Sequence, residues 1–420
     1  MRPVLGRAIA RLPPGTLPVS VGLLVLGLTT YLALAVAARG VGPVTYGPVS
    51  VLWAAIFTLG SGVFSALEQL TARELAHGRD ALGVVRSAAR CAWQLVAAVL
   101  VLIAVTAPWL RESAFATEPA LVWALALGVV ALAGEHLVRG CLSGRGDLVL
   151  YGGVLGGTGV ARALACLALL ALGSGSATAY GLALAGAPLV VVVPMLVREL
   201  RRSRNADRAP GFAGPLGLLV AGTGTALLVV NMPSLAVTAL AHRNEAELAG
   251  RLGASLVVAR LPLFAFFAVS SVLVPQLTAA RVESPAVFTG RLRQALVAAI
   301  ALGAAGTVAL GLLGPPLTTL LFGTDFDVGR ATLGILTAAA GLFMVATVLA
   351  AALVALGLAG RSLLGWSAGA AATLVVMVVA EGLDSKITLG FLAGTATACV
   401  ALGLCLAAAL VRPADRALLN

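Results

Sequence analysis

Residues 65–73 read Ser65-Ala66-Leu67-Glu68-Gln69-Leu70-Thr71-Ala72-Arg73. They close a long apolar segment with a polar cluster and an arginine. Nearly the same words return about half a chain later, in Pro275-Gln276-Leu277-Thr278-Ala279-Ala280-Arg281, where Gln-Leu-Thr-Ala recurs unchanged. An echo at that separation predicts two similar halves. A second echo sets Leu142-Ser143-Gly144-Arg145 against Leu358-Ala359-Gly360-Arg361, after the fourth and tenth apolar segments. With six helices in each half, both halves enter a bilayer from the same side, which makes a parallel repeat.

Composition settles why lipid is the solvent. Of the 420 residues, 60% are apolar and 11% are charged, and the mean hydropathy is +1.04. A soluble domain carries about 25% charged residues. A span needs about 20 mostly apolar residues. The chain therefore reads as an all-α integral membrane protein with about 12 transmembrane helices in two six-helix lobes. The helices are expected near 17–38, 49–70, 92–110, 120–139, 148–172, 179–198, 215–240, 251–275, 294–321, 330–356, 363–380 and 387–411. The lobes are residues 1–200 and 215–420, joined by a basic cytoplasmic linker at 201–214. The first apolar run follows Arg2, Arg7 and Arg11 and resembles a signal peptide, but it is too long for one. It reads as a retained first helix.

The net charge of +11 does not indicate nucleic acid, because the basic residues form no single patch. They alternate with the loops, as the bias of Lys and Arg toward cytoplasmic loops requires. With both termini cytoplasmic, the outer loops hold only Arg39, Arg111, Arg243, Arg251, Arg330 and Lys386. The most basic stretch, Arg198 to Arg208, faces anionic headgroups on the inner side. The expected location is the cell membrane, multi-pass. The five cysteines show no CxxC spacing and read as small packing residues.

Several turns carry a family likeness. Arg39-Gly40-Val41-Gly42-Pro43-Val44-Thr45-Tyr46-Gly47 lies between helices one and two, and Leu321-Phe322-Gly323-Thr324-Asp325-Phe326 follows helix nine. With the Pro275-Gln276-Leu277 helix end and the Leu-x-Gly-Arg turn at 358–361, the chain resembles the polysaccharide-transporter branch of the multidrug/oligosaccharidyl-lipid/polysaccharide exporter superfamily. The resemblance implies two six-helix lobes around a central cavity that opens alternately to each side. It implies a flippase that moves a lipid-linked oligosaccharide, on a polyprenyl phosphate or pyrophosphate carrier, for cell-surface polysaccharide synthesis. The implied partners are that lipid-linked saccharide, membrane lipids and a coupling cation or proton.

Ionisable groups inside a bilayer are functional candidates by default. Arg260 in helix eight and Arg162 in helix five both fall near mid-depth. A guanidinium can bind phosphate oxygens in bidentate fashion, so each could hold the cargo headgroup or pair structurally. By the resemblance, helices one, two, seven and eight line the cavity, which favours Arg260. Glu68 could pair with Arg73 or face the cavity. Asn231, with Pro233, is a candidate kink and polar pair in helix seven, and Arg39 could gate the outer end. Glu135 and His136 are candidates for proton coupling. Glu135 could also pair with Arg139 at i+4 or reach Arg162.

No enzyme chemistry is indicated. There is no Gly-rich phosphate loop ending in Gly-Lys, no Ser/His/Asp set among His77, His136 and His242, and no cofactor or metal set; Asp325 and Asp327 belong to a turn. Two alternatives stay open. One is a cation-coupled drug exporter of the same superfamily. The other is a membrane enzyme acting on polyprenyl-linked sugars, though the outer loops are short for that role.

Overall fold

The computed structural model describes residues 16–76, 80–202, 213–270 and 273–417. Among them every regular element is helical. The first half contains α1 (Thr16–Leu59), a π-turn at Gly60–Phe64, α2 (Ser65–Ala76), α3 (Ala81–Trp109), a second π-turn at Leu110–Ala114, α4 (Leu121–Gly144), α5 (Leu148–Ala171), α6 (Ala177–Gly186) and α7 (Leu189–Arg202). The second half contains α8 (Ala213–Ala236), α9 (Ala246–Ala259), α10 (Leu261–Ser270), α11 (Leu273–Glu283), α12 (Pro285–Phe322), α13 (Arg330–Ala355), α14 (Ala359–Val379) and α15 (Leu383–Ala417).

Among the described residues, 9 helical stretches are long and apolar enough to cross a membrane. The first of them, Leu17–Ala76, holds spans one and two. Span seven is α8, and span eight is broken into α9, α10 and α11. All the expected spans are thus accounted for, and the chain is a multi-pass membrane protein. Exposed Trp93 and Trp109 on α3 stand about 24 Å apart along the axis, the separation of two interfacial aromatic anchors. The expected linker at 201–214 lies largely outside the described residues, as do Arg204 and Arg208.

Three boundaries differ from expectation. Spans one and two are separated by Gly42 alone (φ 74°, ψ 168°), and Pro43 opens the next helix, where its missing N–H and fixed φ are favourable. The third span starts at Ala81, capped by the Asp80 carboxylate accepting from the Gly83 amide at 2.9 Å. The ninth starts at Pro285, capped by the Ser284 hydroxyl accepting from the Val287 amide at 3.2 Å. The second and third turns of α3 and α12 carry Arg86 and Arg90, or Arg291 and Arg293, so hydropathy places both starts too late.

The chain forms two compact units. One contains residues 1–40, 59–108 and 120–219, the other residues 41–58, 109–119 and 220–420. In the first unit α4 is the most buried span, and in the second α13 is. They are the fourth and tenth spans, which places the same helix at the centre of each half.

The two echoes fare differently. Gln69–Arg73 and Gln276–Arg281 both occupy the ends of the second span of their half, one element before the caps at Asp80 and Ser284. Arg281 donates from Nη1 to the Ala355 carbonyl at 3.1 Å, satisfying an orphan acceptor at the end of α13. The Leu-x-Gly-Arg echo is out of register. Arg145 caps the end of α4 before the turn glycine Gly146 (φ 75°). Arg361 lies inside α14, after the turn glycine Gly357 (φ 77°). The equivalent positions are the glycines. Asp147 donates to the Leu142 carbonyl at 2.9 Å and Leu358 to the Leu353 carbonyl at 2.8 Å, the same left-handed C-cap in both halves.

In the second unit, Pro43–Ser50 packs directly on α9. A methyl at Gly250 would fall on the Pro43 carbonyl oxygen, and one at Gly253 on the Ser50 hydroxyl. Small residues at this spacing let backbones touch. Beside this seam the two family turns meet. The Tyr46 ring lies 5.8 Å from that of Phe322 and 5.6 Å from that of Phe326, both edge-on. Gly250→Ala should therefore destabilise the protein by about 1–3 kcal/mol, read as a lower melting temperature in detergent. Gly290→Ala, where no atom lies within 4 Å of an added methyl, should not lower it.

Candidate functional site

Two buried polar centres stand out, one in each unit. The first unit gathers six polar side chains from three helices around α4. Glu68, near the start of α2, makes two hydrogen bonds and an ion pair. His136 Nδ1 lies 2.7 Å from its Oε2, the Tyr151 hydroxyl donates to Oε1 at 2.7 Å, and Arg139 Nη2 lies 3.2 Å from Oε2. Arg139 also reaches Glu135, one helical turn away, with Nη1 3.5 Å from Oε1. Glu135 in turn meets Arg162 of α5 at 3.5 Å. The Arg162 Nε–H donates to the Leu184 carbonyl of α6 at 3.1 Å. Glu68 is 9% exposed, Glu135 4%, His136 5% and Arg162 5%, while Arg139 and Tyr151 are partly buried.

The helices are spaced for this. Gly140 and Gly144 of α4 lie against the Glu68, Thr71 and Ala72 backbone of α2, where no Cβ would fit. That close approach carries Glu68 to the rings of His136 and Tyr151. Both pairings open for Glu135 in the sequence are made. Glu68 bonds His136, Arg139 and Tyr151, partners on other helices, and its nearest sequence candidate, Arg73, is not among them. Tyr151 gave no sequence signal at all.

The fold does not require these charges. In the register of the turn glycines Gly146 and Gly357, the second unit has Ala346, Ala350 and Thr373 where the first has Glu135, Arg139 and Arg162. The same echo that aligns Gln69 with Gln276 puts Pro275 opposite Glu68. A buried ion pair rarely adds stability over well-packed apolar residues. One half of the protein packs its central helix without charge, and the other half retains a charged network.

The second centre is Arg260, which sits at the break between α9 and α10, just before Pro262. Its Nη1 donates to the Asn231 side-chain oxygen at 3.1 Å, and its Nη2 donates to the Val230 carbonyl. Its guanidinium lies 5.9 Å above the Phe391 ring. Asn231 is 1% exposed and anchors itself by donating to the Leu227 carbonyl at 3.0 Å. Pro233, two residues on, has no N–H to donate to the preceding turn. The structure thus joins the two candidates, Arg260 and Asn231, into one half-buried group. An amide, a carbonyl and a ring hold the guanidinium while leaving its positive charge in place. The carboxylates of the second half, from Glu245 and Glu247 to Asp384, lie at span ends.

The remaining candidates are simpler. Arg39 is exposed near the end of the first span. Among the described residues no group of His, Cys, Asp or Glu could hold a metal ion. A groove of about 390 Å³ between the starts of α1 and α5 is lined by Leu17, Pro18, Val21, Gly22, Gly152 and Gly156 among others. It offers no polar side chain to a charged headgroup.

No protein-family model matches the sequence. An uncharacterized protein of Mycobacterium tuberculosis is 29% identical over 367 residues, covering 83% of this chain and 81% of its own. An uncharacterized protein of Mycobacterium bovis is 28% identical over 364 residues, covering 81% and 80%. Among solved structures, an inward-facing multidrug-resistance MATE family transporter of the MOP superfamily superposes with a TM-score of 0.74 at 14% identity, over 94% of this chain and 98% of that one. A MATE transporter of Vibrio cholerae gives 0.64 at 16% identity, over 95% and 96%. The fold is that of the MATE transporters. At these identities the likeness establishes architecture alone.

Proposed function

We propose that this chain is a membrane flippase that translocates a lipid-linked oligosaccharide for cell-surface polysaccharide synthesis, by alternating access of its two lobes. The observation that carries this reading is Arg260. A guanidinium at mid-span, positioned by the Asn231 amide, the Val230 carbonyl and the Phe391 ring, suits an anionic headgroup such as a polyprenyl phosphate or pyrophosphate. It repels the cationic drugs that the alternative reading requires, because moving a positive cargo past a low-dielectric cation is unfavourable at every ionic strength. The family turns at 39–47 and 321–326 support the same branch.

The drug-exporter reading keeps one observation of its own, the superposition on multidrug MATE structures. The two readings separate in a deletion strain. Loss of surface polysaccharide, with the lipid-linked precursor accumulating in the membrane, supports the flippase. Unchanged polysaccharide with heightened sensitivity to cationic drugs overturns it. Arg162 is assigned a structural role here, since Glu135 and the Leu184 carbonyl enclose it.

A further inference from the structure

The third span is longer than the bilayer needs. Its helical stretch runs 34 residues, from Ala81 to Ala114. At 1.5 Å per residue that is about 51 Å, against a hydrocarbon core of about 30 Å. Trp93 and Trp109, the two exposed interfacial rings, mark the part that lies in hydrocarbon. About three turns of α3 precede Trp93 and emerge from the core. They do so at the end that the arginine bias assigns to the cytoplasm.

Those turns are sided. Val84, Val85, Ser87 and Ala88 are buried, whereas Leu82, Arg86 and Arg90 are exposed. Steps of four, four and three residues carry one exposed file from Leu82 through Arg86 and Arg90 to Trp93. Steps of four continue it to Ala97 and Val101 on the lipid-facing side. Along the axis Arg90 stands about 4.5 Å beyond Trp93, and Arg86 about 10.5 Å. The headgroup layer is about 5–7 Å deep on each side of the core. With their long stems, both guanidiniums reach the phosphates of a lipid whose chains lie against Trp93 and Val101.

The charge of this file is not spent inside the protein. No acidic residue occurs between Asp80 and Glu112, and the Asp80 carboxylate is turned to the helix end, where it caps the Gly83 amide. Among the described residues of the first unit, the carboxylates in ion pairs are Glu68, Glu135 and Glu199, and they engage His136, Arg139, Arg162 and Arg145. Arg90 belongs to none of these pairs. Nor does the fold require the file. In the register of the two caps, Asp80 with Ser284, the second half has Gly290, Gln294 and Val297 where the first has Arg86, Arg90 and Trp93. Arg291 and Arg293 of α12 are exposed too, but residues two apart do not share a helix face. The cytoplasmic bias of arginine explains a count of charges. It does not explain two arginines and a tryptophan in one file on the lipid-facing side.

We propose that Arg86, Arg90 and Trp93 form a binding site for one anionic phospholipid of the leaflet on that side. The two guanidiniums hold its phosphate oxygens by charge-assisted hydrogen bonds, in the bidentate geometry that arginine offers to phosphate. The Trp93 ring lies at the level of the glycerol backbone, and the acyl chains run along Ala97 and Val101. The file is open to the bilayer along its length. It has no wall to enclose a saccharide or to single out an isoprenoid chain. It reads headgroup charge, and its occupant is the anionic phospholipid of the surrounding bilayer. The proposal does not rest on the flippase reading.

The test uses the full-length protein in phosphatidylcholine nanodiscs doped with a lipid brominated on its acyl chains, which quenches a tryptophan it touches. The chain has 5 tryptophans, so the Trp93 signal is the difference between wild type and Trp93→Phe, and the Trp109 signal is obtained in the same way. At equal doping, brominated phosphatidylglycerol should quench Trp93 more than brominated phosphatidylcholine does, while Trp109 is quenched alike by both. The preference at Trp93 should fall about fivefold in Arg90→Gln and about 25-fold in Arg86→Gln/Arg90→Gln. Arg291→Gln/Arg293→Gln should leave it unchanged. Equal quenching of Trp93 by the two lipids overturns the proposal, as does a preference that survives the double substitution. A brominated polyprenyl phosphate that displaces phosphatidylglycerol at equal mole fraction overturns the assigned occupant. Should the double variant fail to fold, the comparison of the two lipids on the unaltered chain still decides. Export is not read in this experiment, so failure of the flippase reading leaves its outcome untouched.

Discussion

Arg260→Ala is expected to lower polysaccharide export about 10- to 100-fold while protein level and melting temperature stay close to wild type. A hydrogen bond to a charged group contributes about 1.5–3 kcal/mol, and each 1.4 kcal/mol is about tenfold. The guanidinium is half-buried and is held by Asn231, Val230 and Phe391, none of which becomes an unpaired charge on its removal. Stability should therefore change little, which separates a cargo role from a structural one. Arg260→Lys keeps the charge but loses the planar fork, and should restore export only in part. Asn231→Leu removes the group that fixes the fork and should resemble Arg260→Lys. Wild-type export from a well-expressed Arg260→Ala protein would remove Arg260 from the cargo path.

Glu135→Leu should be the most destabilising of the network substitutions, by about 3–5 kcal/mol, because it removes the carboxylate that faces the buried Arg162 guanidinium inside the first unit. The paired change Glu135→Leu/Arg162→Met should recover most of that loss. Apolar residues of similar volume commonly replace a buried ion pair at little cost, and the second unit already packs Ala346 and Thr373 at the matching positions. Unfolding in mixed micelles, with the single and double variants compared as a cycle, reads the coupling directly. A double variant as unstable as the single would mean that Arg139 and Glu68 depend on the pair, and that the network is a structural unit.

The spans were legible because lipid imposes a length on apolar segments, and the half-chain repeat was legible because Gln-Leu-Thr-Ala survives in both halves. The starts of α3 and α12 were not legible from hydropathy, since arginines stand in their second and third turns. Their caps, Asp80 and Ser284, were the better signal. The Leu-x-Gly-Arg echo misled because it matches letters, whereas the structure matches turn glycines, Gly146 with Gly357. At the site, Glu135 with Arg139 was readable as a local i+4 pair. Glu68 with His136 and Tyr151 was not, because those partners lie on other helices and only packing brings them together. No pattern of residues announced either π-turn. Arg260 and Asn231 were each visible as polar residues in apolar spans, but their bond depends on the packing that brings the α9–α10 break at Arg260 against α8.

The central claim is that the cargo is an anionic, lipid-linked saccharide. Purified full-length protein in liposomes, supplied with a fluorescent oligosaccharide on polyprenyl pyrophosphate, tests it most directly. The account predicts that the labelled headgroup crosses to the opposite leaflet at a rate well above protein-free vesicles, and that Arg260→Ala reduces that rate about 10- to 100-fold. Vesicles in which the saccharide stays in its original leaflet, while a cationic drug is carried across, would contradict it.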